Sequence, residues 1–346
     1  MKHVLFLFIL SFFLLNMTTT HTQSDKAASL VLDNYAVPIE KKGIRIGKVI
    51  NPTGEKLSME SDSSGLFVLD RDGYISLKKN AMLTDASPQS YEIVLKSGTL
   101  KKAFELVKDN FIRNKVIAHR GAWKNQDASQ NSLKALDKAI EIGCEASEFD
   151  VWLSADNEVV LSHDPVIGGK KVEETTAKEL YTIPLKDGDY LPSLVQYIER
   201  IKKQNKTRLV LEVKASQLGV ERSKAVAEAS VRMVHDMKAQ AWVDYITFSF
   251  EAAERIRELD PSAKILYLEA NKTLDEVKTA GMSGIDYHYS NFIKDAGLAQ
   301  KARDKGLLTN AWTVNKEDDL RSMLGQGIDY ITTDEPELLL NILGSR

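Results

Sequence analysis

The sequence predicts an α/β protein: a (β/α)₈ (TIM) barrel preceded by a small all-β sandwich. Three observations carry this. From residue 115 onward, apolar strand-like runs alternate with amphipathic helical segments over about 230 residues. Before residue 108 the texture is short alternating runs broken by turn residues. Charged and polar side chains recur at the ends of the later strand runs, where a barrel gathers its active site. The composition, 43% hydrophobic and 27% charged, is that of a globular chain. A formal net charge of -3 argues against a nucleic-acid surface.

The N-terminus stands apart. Met1-Lys2-His3 is a short basic start, residues 4–15 are almost unbroken apolar, and a polar stretch, Thr18 to Gln23, follows. This reads as a signal peptide over residues 1–24, cleaved near residues 20–24, and implies export to a periplasmic or extracellular location with no stable membrane anchor afterwards. An uncleaved anchor is the alternative; no cysteine follows the apolar run to carry a lipid. Cys144, the one cysteine, cannot form an internal disulfide and reads as a small buried residue.

Residues 25–108 read as the β-sandwich. Residues 44–49 alternate; residues 65–69 and 74–77 alternate on either side of Asp70-Arg71-Asp72-Gly73, a hairpin signal. Residues 91–96 and 100–107 flank Ser97-Gly98 in the same way. The pattern Phe67-x-Leu69-x-x-x-Gly73-x-Ile75 resembles the core hairpin of cadherin-like domains. The acidic calcium-binding signatures of cadherins are missing, so Asp70 and Asp72 are expected to serve the turn.

In the second part, strands are expected at 116–119, 146–153, 158–162, 208–214, 245–250, 264–268, 285–289, 307–314 and 330–333. Helices are expected at 132–142, 193–203, 222–238, 252–259, 274–280 and 296–305. Nine strand runs are one too many for eight barrel positions. The tight Ala155-Asp156-Asn157 turn between the second and third predicts an antiparallel, hairpin-like departure there.

The chemistry-bearing residues fall on these strands. His119 and Arg120 end the first, and His163 ends the third. Glu148 and Asp150 are two apart, so they share one side of their strand. Glu212 and Lys214 are also two apart, in an otherwise apolar run where burial is costly unless they are ligated or paired. Singly, each has a structural explanation, such as a salt bridge to a strand neighbour. Together they are an inventory for binding a cation, holding a phosphate and moving a proton.

These residues sit in motifs: His119-Arg120-Gly121, Asn131, Glu148-x-Asp150-Val151, His163-Asp164, Leu191-Pro192-Ser193-Leu194, Glu212-Val213-Lys214, Ala311-Trp312-Thr313-Val314-Asn315 and Thr333-Asp334-x-Pro336. In this order they make residues 115–346 resemble the glycerophosphodiester phosphodiesterase family. The resemblance implies a barrel that hydrolyses a small phosphodiester to glycerol 3-phosphate and an alcohol. It implies Glu148, Asp150 and Glu212 as ligands of a divalent metal, Ca²⁺ or Mg²⁺, and His119 and His163 as the acid/base pair. Arg120 and Lys214 would hold phosphate oxygens, and Trp312 would wall the substrate cleft unless it only packs the core.

One departure stands out. The family usually has Pro-Glu-Asn-Thr where this chain has Ser129-Gln130-Asn131-Ser132. If the family glutamate helps bind the metal or orient a ligand, Gln130 implies weaker metal binding or a preference for another substrate, with Asn131 beside it as a further possible support of the site, and Gln130→Glu should tighten metal binding. The segment between His163 and Leu191 is short, which implies an open site with the N-terminal module as a possible wall. Rival readings are a sphingomyelinase D-like phosphodiesterase, a glycoside hydrolase and a non-catalytic binding protein. Three carboxylates beside two histidines disfavour the glycosidase pattern of two facing carboxylates.

Overall fold

The computed structural model describes residues 29–344. The expected signal peptide, residues 1–24, lies outside the described residues.

The N-terminal part holds eight strands: β1 (Val31–Leu32), β2 (Ala36–Val37), β3 (Arg45–Ile50), β4 (Leu57–Asp62), β5 (Phe67–Leu69), β6 (Tyr74–Leu77), β7 (Ser90–Ser97) and β8 (Leu100–Lys108). They form two sheets, ordered β1-β3-β6-β5 and β2-β8-β7-β4. Alternation puts Ile75, Leu77, Ile93, Leu95, Phe104 and Leu106 into one core between the sheets. Asp70 serves the β5–β6 turn, its Oδ1 accepting from the N–H groups of Asp72 and Tyr74. Strand β4, LSMESD, carries no apolar alternation; it is an edge strand with half its residues in water, so its sequence had no reason to show the period.

Residues 116–333 contain a closed ring of eight parallel strands: β9 (Val116–Ala118), β10 (Ala146–Leu153), β14 (Arg208–Val213), β15 (Val243–Thr247), β16 (Ile265–Tyr267), β17 (Gly284–His288), β18 (Leu308–Trp312) and β19 (Tyr330–Thr333), which returns to β9. The ninth run is β11 (Val159–Leu161), antiparallel to β10 and outside the ring, as the tight turn implied. After it come a two-stranded hairpin, β12 (Val166–Ile167) and β13 (Lys170–Lys171), a 3₁₀ turn at Val172–Glu174 and α2 (Ala177–Leu180). These pack on Trp152 and Val160 around Val172, Leu180 and Leu191. The remaining helices are α1 (Leu133–Glu141), α3 (Leu194–Ile201), α4 (Val220–Asp236), α5 (Phe250–Leu259), α6 (Leu274–Thr279), α7 (Ser290–Lys294), α8 (Leu298–Asp304), α9 (Glu317–Gly325) and α10 (Pro336–Gly344). Ser132, Ser193, Ser249 and Thr273 cap α1, α3, α5 and α6, each side chain accepting a backbone N–H of the first turn.

The two-residue period of each strand divides the barrel in two. Phe149, Val151, Leu209, Leu211, Tyr245 and Ile285 face outward and pack with the helices. Ile117, Ala146, Val210, Ile246 and Leu266 face inward and form a small apolar plug. Below the plug Arg208 lies 3.5 Å from both Glu145 and Asp244, and Lys264 pairs with Asp244 at 2.7 Å. Above it the inward positions become polar, with Glu148, Asp150, Glu212, Asp286 and Asn310 all buried.

The N-terminal module docks at the bottom of this barrel. Lys202 pairs with Glu105 at 2.7 Å, Gln89 donates to Lys202 O, and Asn205 donates to Lys108 O. Ala241 packs into the module's own core. All these barrel residues lie on loops that precede β14 or β15, at the end opposite the strands' C-termini. The expectation that the module walls the site is therefore corrected: its docking residues reach the αβ loops, at the end of the barrel away from the mouth.

Trp242 anchors this junction. It is fully buried, donates from Nε1 to Gln204 O at 2.8 Å and meets Phe111 edge-on at 6.4 Å. Trp242→Ala should destabilise the protein by about 3–5 kcal/mol, read as a lower urea midpoint. An unchanged midpoint would show that the junction does not depend on this ring.

Candidate active site

The site is built where the polar layer meets the mouth. Strand β9 ends at Ala118, and the chain then turns sharply. Arg120 adopts φ 58° and Gly121 φ 82°. A side chain at Gly121 would place its Cβ 2.6 Å from the Ala135 Cβ, so α1 can approach only a glycine. The left-handed Arg120 turns its backbone N–H onto Glu148 Oε2 at 2.8 Å. Its side chain donates from Nη1 to Gln130 Oε1 at 2.6 Å, and its Nε lies 3.8 Å from Asp150 Oδ2.

Glu148 and Asp150 point inward from β10, and the β10–β14 register sets Asp150 opposite Glu212. One ligand atom from each of Glu148, Asp150 and Glu212 lies within 4.8 Å of the others, and all three residues are buried. Asn131, also at positive φ (58°), donates from Nδ2 to Asp150 Oδ2 at 3.0 Å and accepts from Asp150 N. Lys214 Nζ bridges Asp150 Oδ1 at 3.0 Å and Glu212 Oε1 at 2.7 Å.

The electrostatics follow from this crowding. Burial, with the charges of Asp150 and Glu212, raises the Glu148 carboxyl well above the usual range. Burial and Asp150 push Glu212 up to about 7 against the pull of Lys214. Burial works against ionised Asp150 too, but Lys214, His163, Asn131 and Arg120 outweigh it and hold that carboxyl down to about 2. Glu148 Oε1 is buried with no hydrogen-bond partner among the described residues. Three hard oxygen donors and an orphaned carboxylate oxygen fit a divalent cation such as calcium or magnesium.

The two histidines stand beside this cluster. His119 Nδ1 lies 2.7 Å from Asp334 Oδ1, and Asp334 is held by Asn315, which donates to its Oδ2 at 2.8 Å. His163 Nδ1 lies 2.8 Å from Asp164 Oδ1. An ionised carboxylate only accepts, so Nδ1 carries the proton in both rings and Nε2 is the free acceptor of the neutral form. Burial lowers the His163 pKa, although Asp150 opposes it. The bonds from His119 and Asn315 hold Asp334 below the usual carboxylate range despite its burial.

All ten residues singled out from the sequence lie around the C-terminal ends of the strands, and three of them make contacts that the sequence alone did not indicate. Gln130 is not in the carboxylate cluster but accepts from Arg120. Lys214 bridges two of the carboxylates. Trp312 combines both of its readings: it packs against the barrel interior, donates from Nε1 to Asp286 O at 2.9 Å and remains part-exposed at the mouth. Sequence reasoning left Asp334, Asn315 and Asp286 without roles. The Thr333-Asp334-x-Pro336 motif was the available signal for the first. Asp286 gave none; burial raises its carboxyl to about 8, and its Oδ2 accepts from Asn310 at 3.0 Å.

The mouth has two unlike sides. On one, the β9–α1 loop and residues 185–187 enclose an open cleft of about 570 Å³ lined by Arg120, Trp123, Lys124, Gln130, Asp164 and Lys186. On the other, Trp312 meets Phe248 and His288 edge-on, at 5.6 and 5.3 Å.

Comparison with known proteins places this geometry. A glycerophosphodiester phosphodiesterase of Caldanaerobacter subterraneus is 27% identical over 244 residues, 66% of this chain and 97% of that protein. A glycerophosphodiester phosphodiesterase structure from Parabacteroides distasonis is 40% identical and superposes with a TM-score of 0.65, covering 69% of this chain and 99% of the other. The phosphodiesterase of Oleispira antarctica, solved with its product sn-glycerol-3-phosphate, shares the fold at 23% identity and a TM-score of 0.58, over 66% of this chain and 96% of its own. The model of the glycerophosphoryl diester phosphodiesterase family matches residues 119–338. The carboxylate trio, both histidines and Asp334 lie within that match, and the chain belongs to this family.

Proposed function

We propose that this member of the family is a glycerophosphodiester phosphodiesterase working by metal-assisted, two-histidine hydrolysis, releasing glycerol 3-phosphate and an alcohol. The observation that carries the reading is the convergence of three buried carboxylates with His119, His163 and Arg120 at one barrel mouth. Residues 25–108 form a separate module without a part in bond cleavage, and residues 115–346 the catalytic unit. Export by the N-terminal segment is part of the same proposal.

Glu148, Asp150 and Glu212 would hold the cation, which when bound neutralises phosphate charge and lowers the pKa of a coordinated hydroxyl. Arg120 is fixed by Gln130 and presents its guanidinium to a phosphate oxygen. His163, which burial favours as the neutral ring, removes a proton from the attacking water at Nε2. His119, oriented through Nδ1 by Asp334, delivers a proton to the departing alkoxide oxygen. One P–O bond forms and one breaks, and the alcohol leaves neutral.

Excess chelator should abolish turnover, and Glu148→Gln, Asp150→Asn or Glu212→Gln should each weaken calcium or magnesium binding and rate together. Full activity in chelator would overturn the metal assignment. The raised carboxyls also set a pH dependence. Their folded-state stability is fully present below the unfolded pKa of about 4.3 and is lost as pH rises through about 7 for Glu212. The chelated protein should therefore melt lower at pH 8 than at pH 6, with added cation reversing the difference.

His119→Ala and His163→Ala should each lower turnover by about a hundredfold or more, with cation affinity kept. Asp334→Asn should also slow turnover, because an amide no longer holds the Nδ1–H of His119 as a carboxylate does. A His119 or His163 variant with near wild-type turnover on glycerophosphocholine would refute the pair.

Gln130→Glu should replace a bond from the guanidinium to a neutral amide oxygen by an ion pair to Arg120 and draw its charge from the phosphate. A raised KM for the diester with cation affinity within about twofold is the outcome expected from the Arg120 contact. Tighter cation binding at unchanged KM, the outcome the family comparison suggested, would show that the glutamate charge acts on the metal instead.

A further inference from the structure

His288 has no part in the chemistry above, yet it stands at the mouth. It ends β17 two residues beyond inward-facing Asp286, and its Cα pairs in register with that of Trp312. Its ring is exposed, perpendicular to the Trp312 indole at 5.3 Å and 4.7 Å from the Tyr289 ring. The turn that follows fixes it chemically. Ser290 donates its backbone N–H to His288 Nδ1 at 3.3 Å, with the Ser290 Oγ 2.8 Å from the same atom. A backbone N–H can only donate, so Nδ1 is an acceptor and the neutral ring carries its proton on Nε2. This is the opposite tautomer to His119 and His163. Where those two present an acceptor to the mouth, His288 offers a donor.

A glycerophosphodiester has one invariant arm and one variable arm. The aromatic side rests on strands β15, β17 and β18 and is rigid; the cleft beside Arg120 is lined by loops and open. The rigid side suits the invariant glycerol arm, whose carbon-bound hydrogens can lie on an aromatic face while a hydroxyl takes one directed hydrogen bond. Resting on the diesterase reading, we propose that His288 is a specificity-determining residue whose Nε2–H donates to a hydroxyl oxygen of the glycerol arm lying against Trp312.

The test uses the full-length protein, His288→Ala and His288→Gln, the latter keeping an N–H donor. Turnover is measured on glycerophosphocholine and on bis(4-nitrophenyl) phosphate, which has no glycerol hydroxyl. sn-Glycerol 3-phosphate binding is followed by calorimetry. His288→Ala should raise KM for glycerophosphocholine about three- to tenfold, the scale of one lost neutral hydrogen bond, with kcat within about twofold. Glycerol 3-phosphate affinity should fall by the same factor, bis(4-nitrophenyl) phosphate kinetics should hold, and His288→Gln should recover most of the loss. An unchanged KM, an equal rise on both substrates or no recovery in the Gln variant would overturn the proposal. A wild-type protein inactive on glycerophosphocholine with calcium or magnesium present would count against the diesterase reading instead, and glycerol 3-phosphate affinities would still decide His288.

Discussion

Burial of three carboxylates that also repel one another is the constraint on which the rest of the site depends. Glu148, Asp150 and Glu212 are each less than a tenth exposed and lie within 4.8 Å of one another. Without compensation such a cluster ionises reluctantly, and Glu148 and Glu212 are indeed pushed toward their protonated forms. The surroundings supply partial compensation. Lys214 bridges two of the acids, Arg120 gives one its backbone N–H, and Asn131 ties down Asp150. Two non-glycine residues hold positive φ to make those contacts, which is backbone strain kept at a functional position. The remaining deficit of positive charge is what a divalent cation would fill.

The barrel isolates this deficit by layering. A plug of Ile117, Ala146, Val210, Ile246 and Leu266 separates the acids above from the Arg208–Asp244–Lys264 network below. The lower network pairs its own charges and faces the docked module, so that end is specialised for joining the two cores. The upper end carries unpaired capacity and lies open. Division of labour between the two ends of a parallel barrel follows from strand polarity, since the βα loops can vary without disturbing the plug.

The two sides of the mouth differ in what holds them. Strand ends place His288 and Trp312, whose backbones are fixed by ladder pairing, and Phe248 follows directly on β15. Loops place Trp123, Lys124 and Lys186; Trp123 donates to His119 O and Lys124 pairs with Glu335. A diester with one constant and one variable arm matches this asymmetry, and the hydrolysis needs only the strip between the two sides to be exact in its geometry.

Much was legible in the sequence because it is local. The alternation of periods marks strands and helices, and the two-residue spacing of Glu148 and Asp150, or of Glu212 and Lys214, puts each pair on one side of its strand. The extra strand at 159–161 followed from a tight turn. Weak edge strands such as β4, the short α7 and the 3₁₀ turn after β13 left no periodic trace, since few of their residues are buried. What spacing could not supply was the meeting of distant strands. The Asp150–Glu212 register, the reach of Asp334 to His119, Gln130 falling on Arg120 rather than on the acids, and the module docking beneath the barrel all depend on ring closure. Closure brings together residues up to 215 positions apart, and no local period encodes which of them touch. The sequence by itself determined the element types, the sides its charged residues face and the family motifs. The tertiary structure decided which of those charges neutralise one another, because the distances that govern electrostatics exist only once the ring has closed.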